Sequence, residues 1–214
     1  MLLIFVSAEY VIGPRAHILG WLGLAQPPDW FRELLLLVVV ALAARFLAGV
    51  KFRDIGLLPI REWTATEGLY FLQVVLAASM IFIALQARRL GLFEGRVAGW
   101  QALVLVGATQ LAWGFYQELV YRGLLQTELT RRMGGLWGVL AANFAFTFGP
   151  LHFYHLTEAN SPTSKAIMFM AVFAIGAVFA FIFHRTRNLW LVGVLHGIGN
   201  AFMNSPAQFA AQFP

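Results

Sequence analysis

The run AIMFMAVFAIGAVFAFIF, Ala166 to Phe183, holds neither a charge nor a proline. As a helix it would be about 27 Å long, close to the ~30 Å hydrocarbon core of a bilayer. Nothing in it alternates polar with apolar, as a strand half-exposed to water would. It reads as a helix with no face meant for water, and the rest of the chain follows the same pattern. Uncharged stretches recur at Gly68–Ala87, Val97–Gln117, Met133–Thr157 and Asn188–Pro214. Trp30–Val50 is a further candidate: Asp29 is placed to cap it, Leu34 to Ala44 forms its apolar centre, and Arg45 can snorkel. Met1–Leu24 is weaker, because Gly13-Pro14-Arg15 interrupts it.

Composition points the same way. Of 214 residues, 60% are hydrophobic and 12% charged, against about 25% charged in an ordinary globular chain. With 20 Phe, 7 Trp and a mean hydropathy of +0.73, a soluble domain of this size could not hide its apolar surface. Disorder is excluded for the same reason. The expected fold class is all-α: a polytopic transmembrane bundle of about six to eight helices. Residues 1–214 form one integral membrane domain. The connecting segments are too short for a separate soluble domain, and no internal repeat is evident.

The formal net charge of +5 suits anionic lipid headgroups. Nucleic acid is not an expected partner, since no basic run is interleaved with aromatics. Arg45, Lys51, Arg53, Arg61, Arg131, Arg132, Arg185 and Arg187 fall on one side of the alternating spans. Arg32, Arg88, Arg89, Arg96 and Lys165 fall on the other, which favours the first set as cytoplasmic. There is no Cys, so thiol catalysis and Cys-ligated zinc are absent. The opening MLLIFVSAEY lacks a basic n-region and carries Glu9, so no cleaved leader is expected.

Polar side chains in these spans are costly and mark candidate function. Three clusters stand out. In Gln117-Glu118-Leu119-Val120-Tyr121-Arg122, Glu118 and Arg122 are four apart, so they share a helix face and can pair. An interfacial ion pair is the plainer explanation. In Phe148-Gly149-Pro150-Leu151-His152, Phe148 and His152 have the same spacing, and Gly149-Pro150 loosens the helix. A satisfied core histidine is the plainer explanation there. In His196-Gly197-Ile198-Gly199-Asn200, the polar pair is flanked by Gly193, Gly197 and Gly199, which admit a close neighbour. Interhelical hydrogen bonding would also account for it. Taken together, the clusters are expected to line one polar intramembrane cavity. That is equipment for general-base hydrolysis with an oxyanion binder. Two histidines and a glutamate also suit zinc. No HExxH occurs, and spacing across separate helices leaves a metal open.

In order and spacing, QELVYR, FGPLH and HGIGN resemble the EExxxR, FxxxH and HxxxN motifs of the CPBP family of intramembrane glutamic proteases. This is the CAAX-protease and bacteriocin-processing group, also called Abi. The motif-bearing core is residues 97–204. The resemblance implies a membrane endopeptidase acting on a membrane-anchored polypeptide, with no cofactor and no metal; a multi-pass chain without Cys fits a prokaryotic plasma membrane. The resemblance also implies that His152 activates the attacking water and that His196 and Asn200 stabilise the oxyanion. Glu118 and Arg122 would form an orienting pair. Phe148 would pack the catalytic histidine and, with Tyr121, line the substrate pocket. One position departs: the family's first glutamate falls on Gln117, whose amide cannot take a proton from water. The chain as given is therefore expected to be inactive or severely impaired. An introduced near-isosteric change, a natural pseudoenzyme and a natural variant relying on Glu118 all stay open. A non-catalytic scaffold or immunity protein on the same fold is the alternative function. A small transporter fits less well, because its polar groups would be strung across several depths.

Overall fold

A computed structural model describes residues 1–8, 29–90, 100–152 and 161–212. Among them there are helices and no strand. The longer ones are α1 (Leu2–Ser7), α2 (Asp29–Phe46), α3 (Ala65–Leu90) and α4 (Trp100–Glu118). They continue with α5 (Thr127–Met133), α6 (Gly135–Phe148), α7 (Pro162–Thr186) and α8 (Leu189–Gln212). Between α4 and α5 the chain forms a π-helix, Leu119–Gln126. Short 3-10 turns occupy Phe52–Ile55, Ile60–Glu62 and Pro150–His152.

The described helices follow the uncharged stretches closely, with one exception. The stretch from Met133 to Thr157 is not one helix: α6 ends at Phe148, where Gly149 turns extended, and Pro150 opens a 3-10 turn. Pro150 has no N–H to donate and its ring restricts the residue before it. Within the Met1–Leu24 stretch, residues 9–24 lie outside the described residues, as do His155 and the rest of 153–160. Among the described residues one helix, α7, is long and apolar enough to cross a membrane. Only 17% of its apolar stretch is buried. Ile167, Met170, Ile175, Val178 and Phe181 face outwards, so α7 is not the buried central helix of a water-soluble core.

The chain divides into two compact units. Unit 1 comprises Met1–Gln26, Val39–Leu57 and Leu119–Leu189. Its centre is the π-helix, every residue of which is buried. α7 runs beside it, fixed by two side chains reaching backbone carbonyls: Arg122 Nη2 donates to Gly176 O at 3.1 Å and Gln126 Nε2 to Ala180 O at 2.9 Å. Asn143 on α6 donates likewise to Phe173 O at 3.0 Å. Such bonds satisfy polar groups within an apolar surround and set register between smooth helices.

Unit 2 comprises Pro27–Val38, Leu58–Glu118 and Trp190–Pro214. The carbonyl of Leu58 accepts from the indoles of Trp190 (2.8 Å) and Trp63 (3.3 Å). α3 starts with a capping box: Thr64 N donates to Glu67 Oε2 at 2.7 Å, and Glu67 N to Thr64 Oγ1 at 3.2 Å. The hydrogen bonds from Thr64 hold the exposed Glu67 carboxyl below its ordinary value. α4 and α8 cross at two glycines. A Cβ on Gly114 would sit 2.5 Å from Gly197 N, and one on Gly197 2.7 Å from the Cα of Leu111. One turn earlier on α8, Gly193 lies under the ring of Phe115.

Candidate active site

The α4–α8 crossing delivers one of the polar clusters. With backbones in contact at Gly114 and Gly197, the next turn of α4 places Glu118 against the residue before Gly197. Glu118 Oε1 lies 2.7 Å from His196 Nδ1. The Glu118 side chain is fully buried and that of His196 is 12% exposed. A carboxylate only accepts, so Nδ1–H donates and the ring orientation is fixed. His196 Nε2 then has two chemistries: neutral, it offers a lone pair; as an imidazolium paired with Glu118, it offers an N–H.

The spacing had pointed Glu118 at Arg122 and gave no sign of this bond to His196, 78 positions away in sequence. The helix changes to a π-helix at Leu119, directly after Glu118. Two more polar groups of unit 2 are notable. Gln117 Oε1 and Asn200 Nδ2 are buried without a hydrogen-bond partner among the described residues. Each is a costly arrangement unless something polar reaches it.

The remaining predicted residues lie in unit 1. Arg122 is wholly buried and, besides its bond to Gly176 O, holds its guanidinium 4.7 Å from the centroid of Phe146. His152 is buried, and its Nδ1 lies 2.7 Å from Phe146 O. A carbonyl can only accept, so Nδ1 carries the proton and the neutral ring has its lone pair on Nε2. That is the tautomer a water-activating imidazole needs. Tyr121 packs edge-on against Phe5 (5.4 Å) and Phe146 (5.2 Å).

Phe146 is the residue that motif spacing missed. Its carbonyl orients His152, its ring meets His152 edge-on at 4.7 Å, and it also touches Tyr121 and Arg122. Phe148, expected to pack His152, is 43% exposed and lies against Phe144 (4.7 Å) and Phe169 (5.5 Å). The reason is local. α6 stops at Phe148, so His152 sits on a 3-10 turn rather than one helical turn further along. Nothing in the spacing singles out Phe146; the Gly149-Pro150 break was the available warning that i, i+4 would fail. No group of three or more metal-ligating side chains occurs among the described residues.

Residues 98–202, which span QELVYR, FGPLH and HGIGN, match the family model described as type II CAAX prenyl endopeptidase Rce1-like. No curated protein and no solved structure matches the chain. Through this half of its length, which holds α4, the π-helix, His152 and the Glu118–His196 pair, the chain belongs to the Rce1-like family of CAAX-type endopeptidases.

Proposed function

We propose that this protein is a multi-pass membrane endopeptidase of the glutamic type, built to hydrolyse a peptide bond in a membrane-anchored polypeptide. The family match across all three motifs carries the reading. In the reaction, a carboxylate at position 117 takes the water's proton with His152 Nε2 sharing it, the oxygen attacks the peptide carbonyl, and the proton then passes to the leaving amine as the C–N bond breaks. Asn200 Nδ2–H and the Nε2–H of protonated His196 stabilise the oxyanion. Glu118 acts on the reaction through His196, holding the ring and balancing its charge; it is a positioning residue. Arg122 fixes the π-helix against α7. No metal is required.

Gln117 occupies the base position and leaves the chain slow or inert, since its amide cannot accept the proton. Gln117→Glu should raise cleavage of a membrane-tethered peptide by about 10²–10⁴-fold, the usual worth of a general base. Adding His152→Ala should return it to the starting rate. The buried Oε1 of Gln117, without a hydrogen-bond partner among the described residues, favours a second reading: a non-catalytic scaffold that binds such peptides through polar groups without cutting them. If Gln117→Glu retains peptide yet cleaves none, this second reading stands and the peptidase reading fails.

A further inference from the structure

We propose that the end of unit 1 where α7 finishes is a binding surface for the headgroups of anionic phospholipids. Two connections far apart in sequence are secured to that end. The loop after α2 is tied by Arg187 Nη2 donating to Asp54 O at 3.1 Å and by Leu189 N donating to Gly56 O at 2.9 Å. Gly56, at φ +83°, fits so closely that a Cβ would come within 2.7 Å of the Phe183 ring. The α5–α6 turn meets the same end, where a Cβ on Gly135 would lie 3.1 Å from His184 Cε1.

These attachments gather Lys51, Arg53, Arg131, Arg132 and Arg185, all exposed. Among the described residues of unit 1, two carboxylates accompany them. Asp54 adjoins Arg53 in sequence. Glu128 is buried and already held by Arg131 (2.7 Å) and Arg132 (2.6 Å). The surface therefore stays positive. Beside the cations stand exposed apolar side chains: Leu136 and Trp137 after the α5–α6 turn, Phe181 one turn back on α7, and Phe52 on the loop. Cations edged by aromatic and aliphatic groups fit the boundary between headgroups and acyl chains. Free phosphate or nucleic acid would satisfy the charge but leave the apolar edge in water. The outward-facing apolar surface of α7 leads directly into this end.

The inference rests on the membrane placement proposed above and not on the peptidase chemistry. The test uses the full chain in vesicles of equal phosphatidylcholine and phosphatidylglycerol. After extraction, lipid retained through gel filtration is quantified by mass spectrometry. Retained lipid should be enriched in phosphatidylglycerol. Lys51→Gln/Arg53→Gln/Arg185→Gln should reduce that enrichment by about fivefold per cation removed. Those three leave the Glu128 pairing untouched. The charge-preserving Lys51→Arg/Arg53→Lys/Arg185→Lys should retain it. An unchanged ratio in the glutamine variant overturns the proposal. So does loss of phosphatidylglycerol to millimolar inorganic phosphate, which would reveal a soluble-anion site. Incorporation into vesicles without any lipid preference overturns the surface and leaves the membrane placement standing. Failure to incorporate at all removes both.

Discussion

The two histidines are held in different ways. His152 is placed by its own neighbourhood: a helix that stops, a Gly-Pro break, and a carbonyl six residues back that takes its Nδ1 proton. His196 lies inside a long helix and is placed by another helix, through a glycine crossing and a carboxylate 78 positions away in sequence. In both cases Nδ1 is hydrogen-bonded. A short-range arrangement depends on one aromatic scaffold, whereas a long-range one depends on two backbones staying close.

The sharpest way to break that contrast is at the aromatic scaffold. Phe146→Ala removes the ring that touches His152, Tyr121 and Arg122. It should cost about 3–5 kcal/mol, typical of a buried phenylalanine. Phe148→Ala should cost far less, because Phe148 is 43% exposed. Thermal unfolding in one detergent compares them directly. If Phe148→Ala proves the more damaging, His152 is held through its i, i+4 neighbour after all.

At the crossing, Gly114→Val inserts a branched side chain where even a Cβ would be 2.5 Å from Gly197 N. Backbone cannot yield as a side chain tip can, so the cost should be at least the ~1–3 kcal/mol of ordinary overpacking. In Gly114→Val the Nδ1–H resonance of His196 should move out of the strongly hydrogen-bonded range, while that of His152 stays put. Movement of both would show that the two arrangements are not independent.

Glu118→Ala leaves the His196 Nδ1–H inside the protein without its acceptor, at about 1–3 kcal/mol. Glu118→Gln can still accept through Oε1 and should recover most of that stability. It carries no charge to balance an imidazolium, so in a Gln117→Glu background it should lower the maximal rate while leaving KM nearly unchanged. A merely structural Glu118 would show the stability loss without the rate effect.

How much of this could be read in the sequence depends on which force decides each feature. Helix positions followed the uncharged stretches because burial of apolar surface sets them, and composition reports that directly. α3, α4, α7 and α8 lie close to where charge disappears from the chain. Gly193 and Gly197 were legible as close-approach positions because only the absence of a Cβ permits backbone contact. Partner choice was not legible. The bond between His196 and Glu118 joins positions 78 apart and leaves no mark in local spacing. Phe148 was assigned to His152 on the assumption of a uniform α-helix, across a break visible as Gly149-Pro150. The capping box at Thr64 and Glu67 could have been read from T-x-x-E alone.

A third carboxylate sharpens the comparison through the smallest expected effect. Glu118 is bonded to the imidazole of His196. Glu128 is bonded to Arg131 and Arg132, which cannot lose their protons. The two guanidinium hydrogen bonds, Arg131's the stronger, bring the Glu128 carboxyl from 4.5 down to about 2. A folded-state value below the unfolded one means the unfolded chain binds the proton first as pH falls. The stabilisation from Glu128 is therefore complete above about pH 4.5 and is lost progressively towards pH 2. Glu128→Gln should be less stable than the parent at pH 7, and the difference should shrink across that window. The measurement is the gap in Tm between the two proteins from pH 6 to pH 2.5. A gap that stays constant would mean that Glu128 contributes packing at the α5–α6 turn and little charge.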